Sequence, residues 1–143
     1  MRGPNAERMM NPTPLDPWND AALIAGRLGS PYNRLIVVLS AEAWCEKCRQ
    51  LRPHFDAIAL DAHERELMLW LDIEDHLPFI GDYLPASLPE LLIYRSTTLE
   101  YRQVIESNLN ALDAALSAPP MADPGPDPGI ANRLALQDWA QAM

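Results

Sequence analysis

The stretch WCEKCRQLRP (Trp44–Pro53) contains both cysteines of the chain, and the rest of the sequence is best understood outward from it. It follows Arg34–Ser40 (RLIVVLS), whose continuous apolar run predicts a strand buried on both faces. Apolar residues then recur at intervals of three and four, which predicts a helix over Cys48–His63. Cys45 and Cys48 are therefore expected where a central strand turns into a helix.

This position of the two cysteines favours dithiol–disulfide exchange. Unpaired backbone N–H groups and the helix dipole at the start of a helix stabilise a thiolate on the first sulfur. The short spacing brings the second thiol within disulfide reach. We expect Cys45 to attack a substrate disulfide as a thiolate and Cys48 to resolve the mixed disulfide. Between them, Lys47 favours the thiolate and Glu46 opposes it, so both are expected to tune the pair.

Two other interpretations of the cysteines stay open from the residues alone. A zinc site normally takes four ligands; the chain has no second cysteine pair, and His54 need not share a helix face with Cys48. The cysteines would otherwise be reduced and inert, although the preceding tryptophan and the strand–helix context argue against that. We predict no metal site and no cofactor.

Composition and charge exclude several classes of function. The 143 residues suit one domain with tails, and 48% hydrophobic with 22% charged residues is a globular composition. The net charge of −9 argues against nucleic acid and anionic membranes as partners, because both need a positive protein surface. No apolar run reaches the length of a membrane span, and the N-terminus lacks the apolar segment of a signal peptide. We therefore expect a cytoplasmic location.

The remaining segments predict one α/β domain with extensions at both ends. The expected elements are a helix over 20–28, strands over 66–73, 91–95 and 100–105, a short helix around 77–83, and a last helix from 107 or 108 to 116. A helical crossover implies parallel strands and a hairpin-length connection implies antiparallel ones, so the prediction is a mixed central β-sheet flanked by helices on both faces. The expected divisions are a flexible arm over 1–17, the domain over 18–117, a proline-rich linker over 118–129 and a short helical tail over 130–143.

From Leu35 to Leu116 the chain resembles the thioredoxin family without an apparent gap. Trp44–Cys48 resembles the family's redox motif, and Pro53 falls where the family has the proline that kinks its active-site helix. Leu71–Glu74 resembles the strand and loop beside the active site. Pro89 follows the second cysteine at the spacing of the family's cis-proline. The resemblance implies a thioredoxin-like fold and thiol–disulfide chemistry.

The resemblance also implies which residues bind substrate. A cis peptide bond before Pro89 would expose the backbone of Leu88 beside the sulfurs, where an extended substrate can pair with it like an added strand. Ile73 is expected at the same groove, and Trp44 is expected to shield the sulfurs and contact substrate rather than only to pack. The implied partners are protein disulfide substrates and a reductase that restores the dithiol. The oligomeric state stays open.

Glu46 and Lys47 depart from the Gly-Pro that the family commonly has between its cysteines, and three further positions also depart from the family pattern. Leu39 stands where the family has a buried acid that assists proton transfer, so deprotonation of Cys48 is expected to be slower, or to fall to water or Glu42. Ile105 replaces a glycine that flanks the substrate groove, which would narrow the groove or change the partner. Thr97 replaces the glycine of the turn before the last strand.

Three functions follow from these features. The leading hypothesis is a thiol–disulfide oxidoreductase that reduces protein disulfides. The departures keep open a thioredoxin-like binding or chaperone module whose cysteines are not essential. A disulfide isomerase or oxidase in an exported compartment is a third, weaker hypothesis, because the residues between the cysteines set the redox poise without revealing its direction.

Four acidic residues near the cysteines are expected to form a solvated surface: Asp72, Glu74, Asp75 and Asp82.

Overall fold

The computed structural model describes residues 15–62 and 65–136. Its elements follow one another as α1 (Ala21–Leu28), β1 (Arg34–Ser40), α2 (Glu46–Leu60), β2 (Glu66–Asp72), α3 (Leu77–Ile80), β3 (Glu90–Arg95), β4 (Thr98–Val104), α4 (Leu109–Ser117) and α5 (Ile130–Leu134). The predicted α/β order is confirmed, and the first strand has the predicted bounds. Among these described residues, no helix is long and apolar enough to cross a membrane.

The four strands form one mixed sheet in the order β2-β1-β3-β4, as predicted. β1 is parallel to β2 and antiparallel to β3, and β3 and β4 form an antiparallel hairpin. Leu39, near the end of β1, therefore lies between Leu71 of β2 and Glu90 of β3. The strands β1, β2 and β4 end, and β3 begins, at the same edge of the sheet. We call it the cysteine edge and define it by Ser40, Asp72, Val104 and Glu90.

Alternate residues of the central strands point to opposite faces of the sheet and build two apolar clusters. The cysteine cluster includes Ile36, Val38, Cys45, Cys48, Leu51, Phe55, Leu91, Ile93 and Leu112. The opposite cluster includes Ile24, Leu35, Val37, Leu39, Leu69, Leu71, Phe79, Leu92, Tyr94, Ile130 and Leu134. Helices α2 and α4 cover the first cluster, and α1, α3 and α5 cover the second. Helices on both faces of the sheet are thereby confirmed.

Helix α2 begins at Glu46, earlier than the predicted start at Cys48, because Cys45 caps it. The Cys45 backbone is extended, and its sulfur accepts the Cys48 N–H at 3.2 Å, which satisfies one of the donors left free at a helix start. The helix continues through Pro53 and ends at Leu60.

The turn between β3 and β4 works without a glycine. Ser96 takes the left-handed conformation with φ 55°, which residues other than glycine adopt rarely. Its hydroxyl donates a 2.6 Å hydrogen bond to the Leu28 carbonyl, and its N–H donates to the Asn33 carbonyl. Because Ser96 takes the positive φ and is held there, Thr97 does not have to adopt it.

Residues 118–129, predicted as a linker, lie against the sheet. The Met121 N–H donates to the Glu100 carbonyl at 2.7 Å, and Arg102 Nε donates to the Pro124 carbonyl at 3.0 Å. The buried Tyr94 hydroxyl donates to Asp127 at 2.7 Å. Prolines restrict the chain without preventing its packing, so a proline-rich composition does not separate this segment from the domain.

The following helix, which belongs to the predicted tail, packs on the domain. Ile130, Ala131 and Leu134 of α5 are buried in the opposite cluster. The structure thus extends the apolar core beyond residue 117, where the predicted domain ends. Residues 137–143 of the predicted tail lie outside the described residues.

The N-terminal extension also reaches the sheet within the described range. The Leu15 N–H donates to the Met68 carbonyl at 3.1 Å, beside β2, and Leu15 forms a bridge with Leu69. The Trp18 ring packs on Phe79 with 4.5 Å between centroids. Of the predicted arm, residues 1–14 lie outside the described residues, and the part from 15 onward covers the free edge of β2.

Candidate redox site

The two cysteines form a disulfide at the start of α2. Their Cα atoms are 5.3 Å apart, which is within the usual range for disulfides. The Cys45 N–H donates to the Ala41 carbonyl at 2.8 Å, and the Cys45 sulfur accepts the Cys48 N–H. In general, an N–H group that points at a sulfur and the start of a helix are surroundings that favour a thiolate.

Exposure distinguishes the two sulfurs. Cys45 retains 9% of its accessible surface, whereas Cys48 retains none. A partner can therefore approach only Cys45 without opening the structure. This difference agrees with the predicted order of attack and resolution, in which the outer thiol reacts first and the inner thiol closes the disulfide.

Two of the predicted groove residues lie beside the cysteines. Ile73, directly after β2, and Leu88, before β3, are partly buried and pack against the cluster that contains both cysteines. The Leu88–Pro89 peptide bond is cis, and Pro89 is buried. The structure thus brings Ile73, Leu88 and Pro89 to the cysteine edge with the redox pair.

The residues that flank the sulfurs in sequence point into solvent. Trp44 is 62% exposed, so its ring is available to a partner. Glu46 and Lys47, in the first turn of α2, are exposed. The Glu46 carboxylate lies 3.8 Å from Arg49. Solvent screens the charges of both side chains, and their predicted tuning of the cysteine pair stays a prediction.

Ile105, which stands where the family has a glycine, is a buried residue. Only 8% of its surface is exposed, and it belongs to the cysteine cluster. Its N–H donates to the Pro89 carbonyl at 3.2 Å. The bulky side chain therefore packs under the groove, and its backbone holds the cis-proline segment from the β4 side.

Two residues bear on the deprotonation of Cys48: Leu39, which replaces the family's buried acid, and Glu42. Leu39 is fully buried and belongs to the opposite cluster. The Glu42 carboxylate forms an ion pair with Arg52 at 3.3 Å. The predicted transfer of the Cys48 proton to water or to Glu42 therefore remains a prediction.

Asp72 was missed by the prediction of a solvated acidic surface. It is 8% exposed, and its two carboxylate oxygens accept the N–H groups of Glu42 at 3.1 Å and of Glu74 at 2.8 Å. It thereby joins the loop that leads to Cys45 to the loop that follows β2. An acid at the end of a buried strand, followed by a loop, was the available signal, because such a carboxylate can accept backbone N–H groups two residues on.

His76 supports this arrangement as a neutral imidazole. Its Nδ1 accepts the Asp72 N–H at 2.9 Å. Burial lowers the pKa of His76, although the carboxylates of Asp16, Asp75 and Asp72 oppose that shift. Within residues 15–62 and 65–136, no three His, Cys, Asp or Glu side chains are grouped closely enough to hold a metal ion.

The mixed sheet and the capped cysteine pair at the end of its central strand define a protein of the thioredoxin fold with a CxxC pair that supports redox activity. The thioredoxin family model matches residues 28–118, which is more than half of the chain. The chain therefore belongs to the thioredoxin family.

Solved structures support the fold. The chain is similar to a mutant thioredoxin from Halobacterium salinarum NRC-1, with a TM-score of 0.50 and 18% identity over 67% of this chain and 83% of that one. A redox protein from Chlamydomonas reinhardtii gives 0.54 and 21% identity over 74% of this chain and 35% of that one. Human ERp44 gives 0.53 and 18% identity over 73% and 31%.

A curated relative matches over a shorter stretch. "Thioredoxin domain-containing protein 2" of Rattus norvegicus is 33% identical over 63 residues, which is 44% of this chain. The matched stretch spans 11% of that relative's own length, so the likeness concerns one part of a larger protein.

Proposed function

We propose that the protein is a thiol–disulfide oxidoreductase that reduces disulfides of protein substrates. The observation that carries the proposal is the asymmetry of the pair: a capped, slightly exposed Cys45 above a fully buried Cys48. A pair that served only packing would need neither the cap on the first sulfur nor the surface left open to it. Membership of the thioredoxin family supports the same chemistry.

The reaction begins when the Cys45 thiolate attacks one sulfur of the substrate disulfide. A bond forms between Cys45 and that sulfur, the substrate S–S bond breaks, and the departing thiolate takes a proton from water. Cys48 then loses its proton and attacks the Cys45 sulfur, which forms the internal disulfide and releases the second substrate thiolate. Two electrons pass from the dithiol to the substrate, and a reductase returns them.

Substrate is proposed to lie across the cysteine edge. The Leu88 backbone would pair with an extended segment, while Trp44 and Ile73 would contact its side chains. The exposed Trp44 ring and the partly buried Ile73 and Leu88 side chains provide an apolar border around the accessible sulfur.

Replacement of each cysteine tests the proposal. Cys45→Ser should abolish reduction of insulin disulfides, because the attacking sulfur is lost. Cys48→Ser should stop turnover but accumulate a mixed disulfide through Cys45, which mass spectrometry detects. Wild-type protein that fails to reduce insulin where an established thioredoxin succeeds would contradict the proposed reaction.

The redox potential decides the direction of the reaction. A reductase requires a value near the reducing end of the range, about −270 mV, whereas a value near −120 mV would favour the oxidase or isomerase hypothesis. Thiol labelling across a dithiothreitol or glutathione series measures it.

A cytoplasmic location is part of the proposal. A single cysteine pair in 143 residues is sparser than the disulfide scaffolds of small secreted domains. A reductase also needs surroundings in which its dithiol can be restored, which the reducing cytoplasm provides. Fractionation of the native host with antibody detection tests the location.

The binding-module hypothesis is retained as a second candidate because of Leu39. This fully buried residue places an apolar side chain where the family has its proton-transfer acid. Under that hypothesis, partners captured by the wild type would also be captured by the Cys45→Ser, Cys48→Ser double variant. Loss of all partners in the double variant would favour the oxidoreductase.

A further inference from the structure

A second buried carboxylate lies at the cysteine edge, directly after the cis-proline. Glu90 is the first residue of β3 and is only 5% exposed. The Tyr83 hydroxyl donates a 2.6 Å hydrogen bond to Glu90 Oε1. Burial raises the pKa of Glu90, while the hydrogen bond from Tyr83 and the charge of Arg102 oppose that shift. A buried acid is costly to keep, so its retention beside the groove calls for a role.

Tyr83 also contacts Arg102 through its ring. The guanidinium carbon of Arg102 lies 5.3 Å from the centroid of the Tyr83 ring. Arg102 pairs across the sheet with Leu92, so it is a diagonal neighbour of Glu90 on the same face, within reach of a long side chain. Tyr83 thus contacts the Glu90 carboxylate through its hydroxyl and the Arg102 guanidinium through its ring.

The C-terminal segment fixes Arg102 in turn. Arg102 Nε donates to the Pro124 carbonyl at 3.0 Å. The guanidinium also lies so close to Gly125 that a Cβ atom there would collide with it. The contacts therefore run without a break from residues 124 and 125 through Arg102 and Tyr83 to Glu90.

The loop that these contacts hold carries the predicted groove residue. Residues 81–89 connect α3 to β3, and Tyr83 joins that loop to the sheet. Leu84, next to it, is 79% exposed, while Leu88 packs beside the cysteines. The Pro89 carbonyl accepts the Ile105 N–H on the β4 side. The Leu88–Glu90 segment is therefore fastened from both sides.

We propose that the Tyr83–Glu90 hydrogen bond, with Arg102 stacked on the phenol, positions the 81–88 loop so that protein disulfide substrates can dock beside Cys45. Tyr83 and Glu90 are positioning residues that do not touch the reacting sulfurs. This inference rests on the proposed function. A protein substrate needs the groove backbone, whereas a small disulfide reagent needs only the exposed sulfur, so displacement of the loop should affect the two differently.

The first test compares Tyr83→Phe with Tyr101→Phe. Tyr101 lies on β4, and its hydroxyl has no hydrogen bond within the described part of the chain, so it is a matched control. Tyr83→Phe should raise KM for insulin about fivefold, because a hydrogen bond to a charged group is lost. Its rate with dithiobis(nitrobenzoate), a small disulfide, and its redox potential should equal those of the wild type. Tyr101→Phe should leave all three values unchanged.

The second test asks whether Glu90 acts as the hydrogen-bond acceptor. Glu90→Gln keeps an oxygen for the Tyr83 hydroxyl, so KM for insulin should stay within about twofold of the wild type. Glu90→Leu fills the same space without an acceptor and should behave like Tyr83→Phe. Equal KM values for Gln and Leu, or an equal loss on insulin and on the small reagent, would overturn the positioning role.

Amide hydrogen exchange separates this inference from the proposed function. Faster exchange at residues 84–88 and at Ile105 is expected in Tyr83→Phe and Glu90→Leu, and unchanged exchange in Tyr101→Phe and Glu90→Gln. Unchanged exchange in all four variants would overturn the inference. If the wild type does not reduce insulin, the proposed function fails, and the exchange data alone then decide whether the contacts hold the loop.

Discussion

The two faces of the sheet differ in where their polar contacts lie. On the cysteine face, the disulfide lies in an apolar cluster whose polar connections are at its rim, where Asp72 accepts N–H groups from two loops. On the opposite face, polar side chains are themselves buried: Tyr94 bonds Asp127, and Glu90 bonds Tyr83. The hydrogen bonds of the cysteine face thus join neighbouring loops at its rim, while those of the opposite face attach the Tyr83 loop and the segment around Asp127 to the sheet.

This division has a chemical consequence for the redox pair. Cys48 is fully buried in the apolar cysteine cluster, so a partner reaches it only after engaging Cys45. In our proposal, the polar contacts of the opposite face act on the loop that carries Leu88, and so affect substrate position rather than sulfur chemistry.

The largest expected effect concerns whether the C-terminal helix belongs to the core. Leu134→Ala removes a side chain that is 2% exposed in the opposite cluster and should lower the free energy of unfolding by about 2–5 kcal/mol. Leu112→Ala on the cysteine face should cost a similar amount. Urea unfolding monitored by circular dichroism measures both.

Leu136→Ala is the matched control for Leu134→Ala. Leu136 is 55% exposed and lies two residues after the end of the helix, so its truncation should change stability by no more than about 0.5 kcal/mol. Leu134→Ala could lower the free energy of unfolding as little as Leu136→Ala does, while Leu112→Ala lowers it strongly. The opposite face would then not depend on the C-terminal helix for its stability. The C-terminal helix would then be an appendage to the domain rather than part of its core.

An intermediate effect is expected at the rim of the cysteine face, where His76 bonds the Asp72 N–H. Because burial lowers its pKa below the ordinary value of 6.5, the unfolded chain takes up the proton first as the pH falls. The stability that neutral His76 provides is fully present above pH 6.5 and is lost as the pH falls through its lower folded value. Unfolding midpoints from about pH 7.5 to about pH 5 should show this decline.

His76→Asn isolates that decline from the titration of carboxylates. The asparagine oxygen can take the place of Nδ1 as acceptor but does not titrate in this range. The variant should therefore lose less stability on acidification than the wild type. Parallel curves for the two proteins would show that His76 is not the sensitive group, and that the rim depends on Asp72 alone.

These contrasts also explain how far the sequence could be interpreted. The strand over Arg34–Ser40 was predicted with its bounds because a continuous β-branched run has few alternatives. The start of α2 was displaced because the cap depends on the Cys45 backbone, which composition does not reveal. The segment over 118–129 was misjudged because prolines indicate irregular structure but not whether it packs.

Buried acids were the harder case. Asp72 and Glu90 look in sequence like ordinary surface carboxylates, since what satisfies them comes from the Glu42 N–H and the Tyr83 hydroxyl. Such pairings depend on which loops the sheet brings to one edge. The cysteine pair, in contrast, carries its chemistry within four consecutive residues and could be recognised without any tertiary contact.

The smallest expected effect concerns the charges between the cysteines. Lys47 and Glu46 are exposed, so each should change the alkylation rate of reduced Cys45 by only about twofold near neutral pH, because exposed charge pairs contribute less than about 1 kcal/mol. Lys47→Gln should slow the reaction with iodoacetamide, since a positive charge favours the thiolate, and Glu46→Gln should accelerate it. The double variant should lie near the wild type, as the two effects oppose each other. A change of tenfold or more in either single variant would mean that these side chains lie over the sulfurs in the reduced protein. The contrast between the apolar cysteine cluster and the polar contacts of the opposite face would then no longer hold.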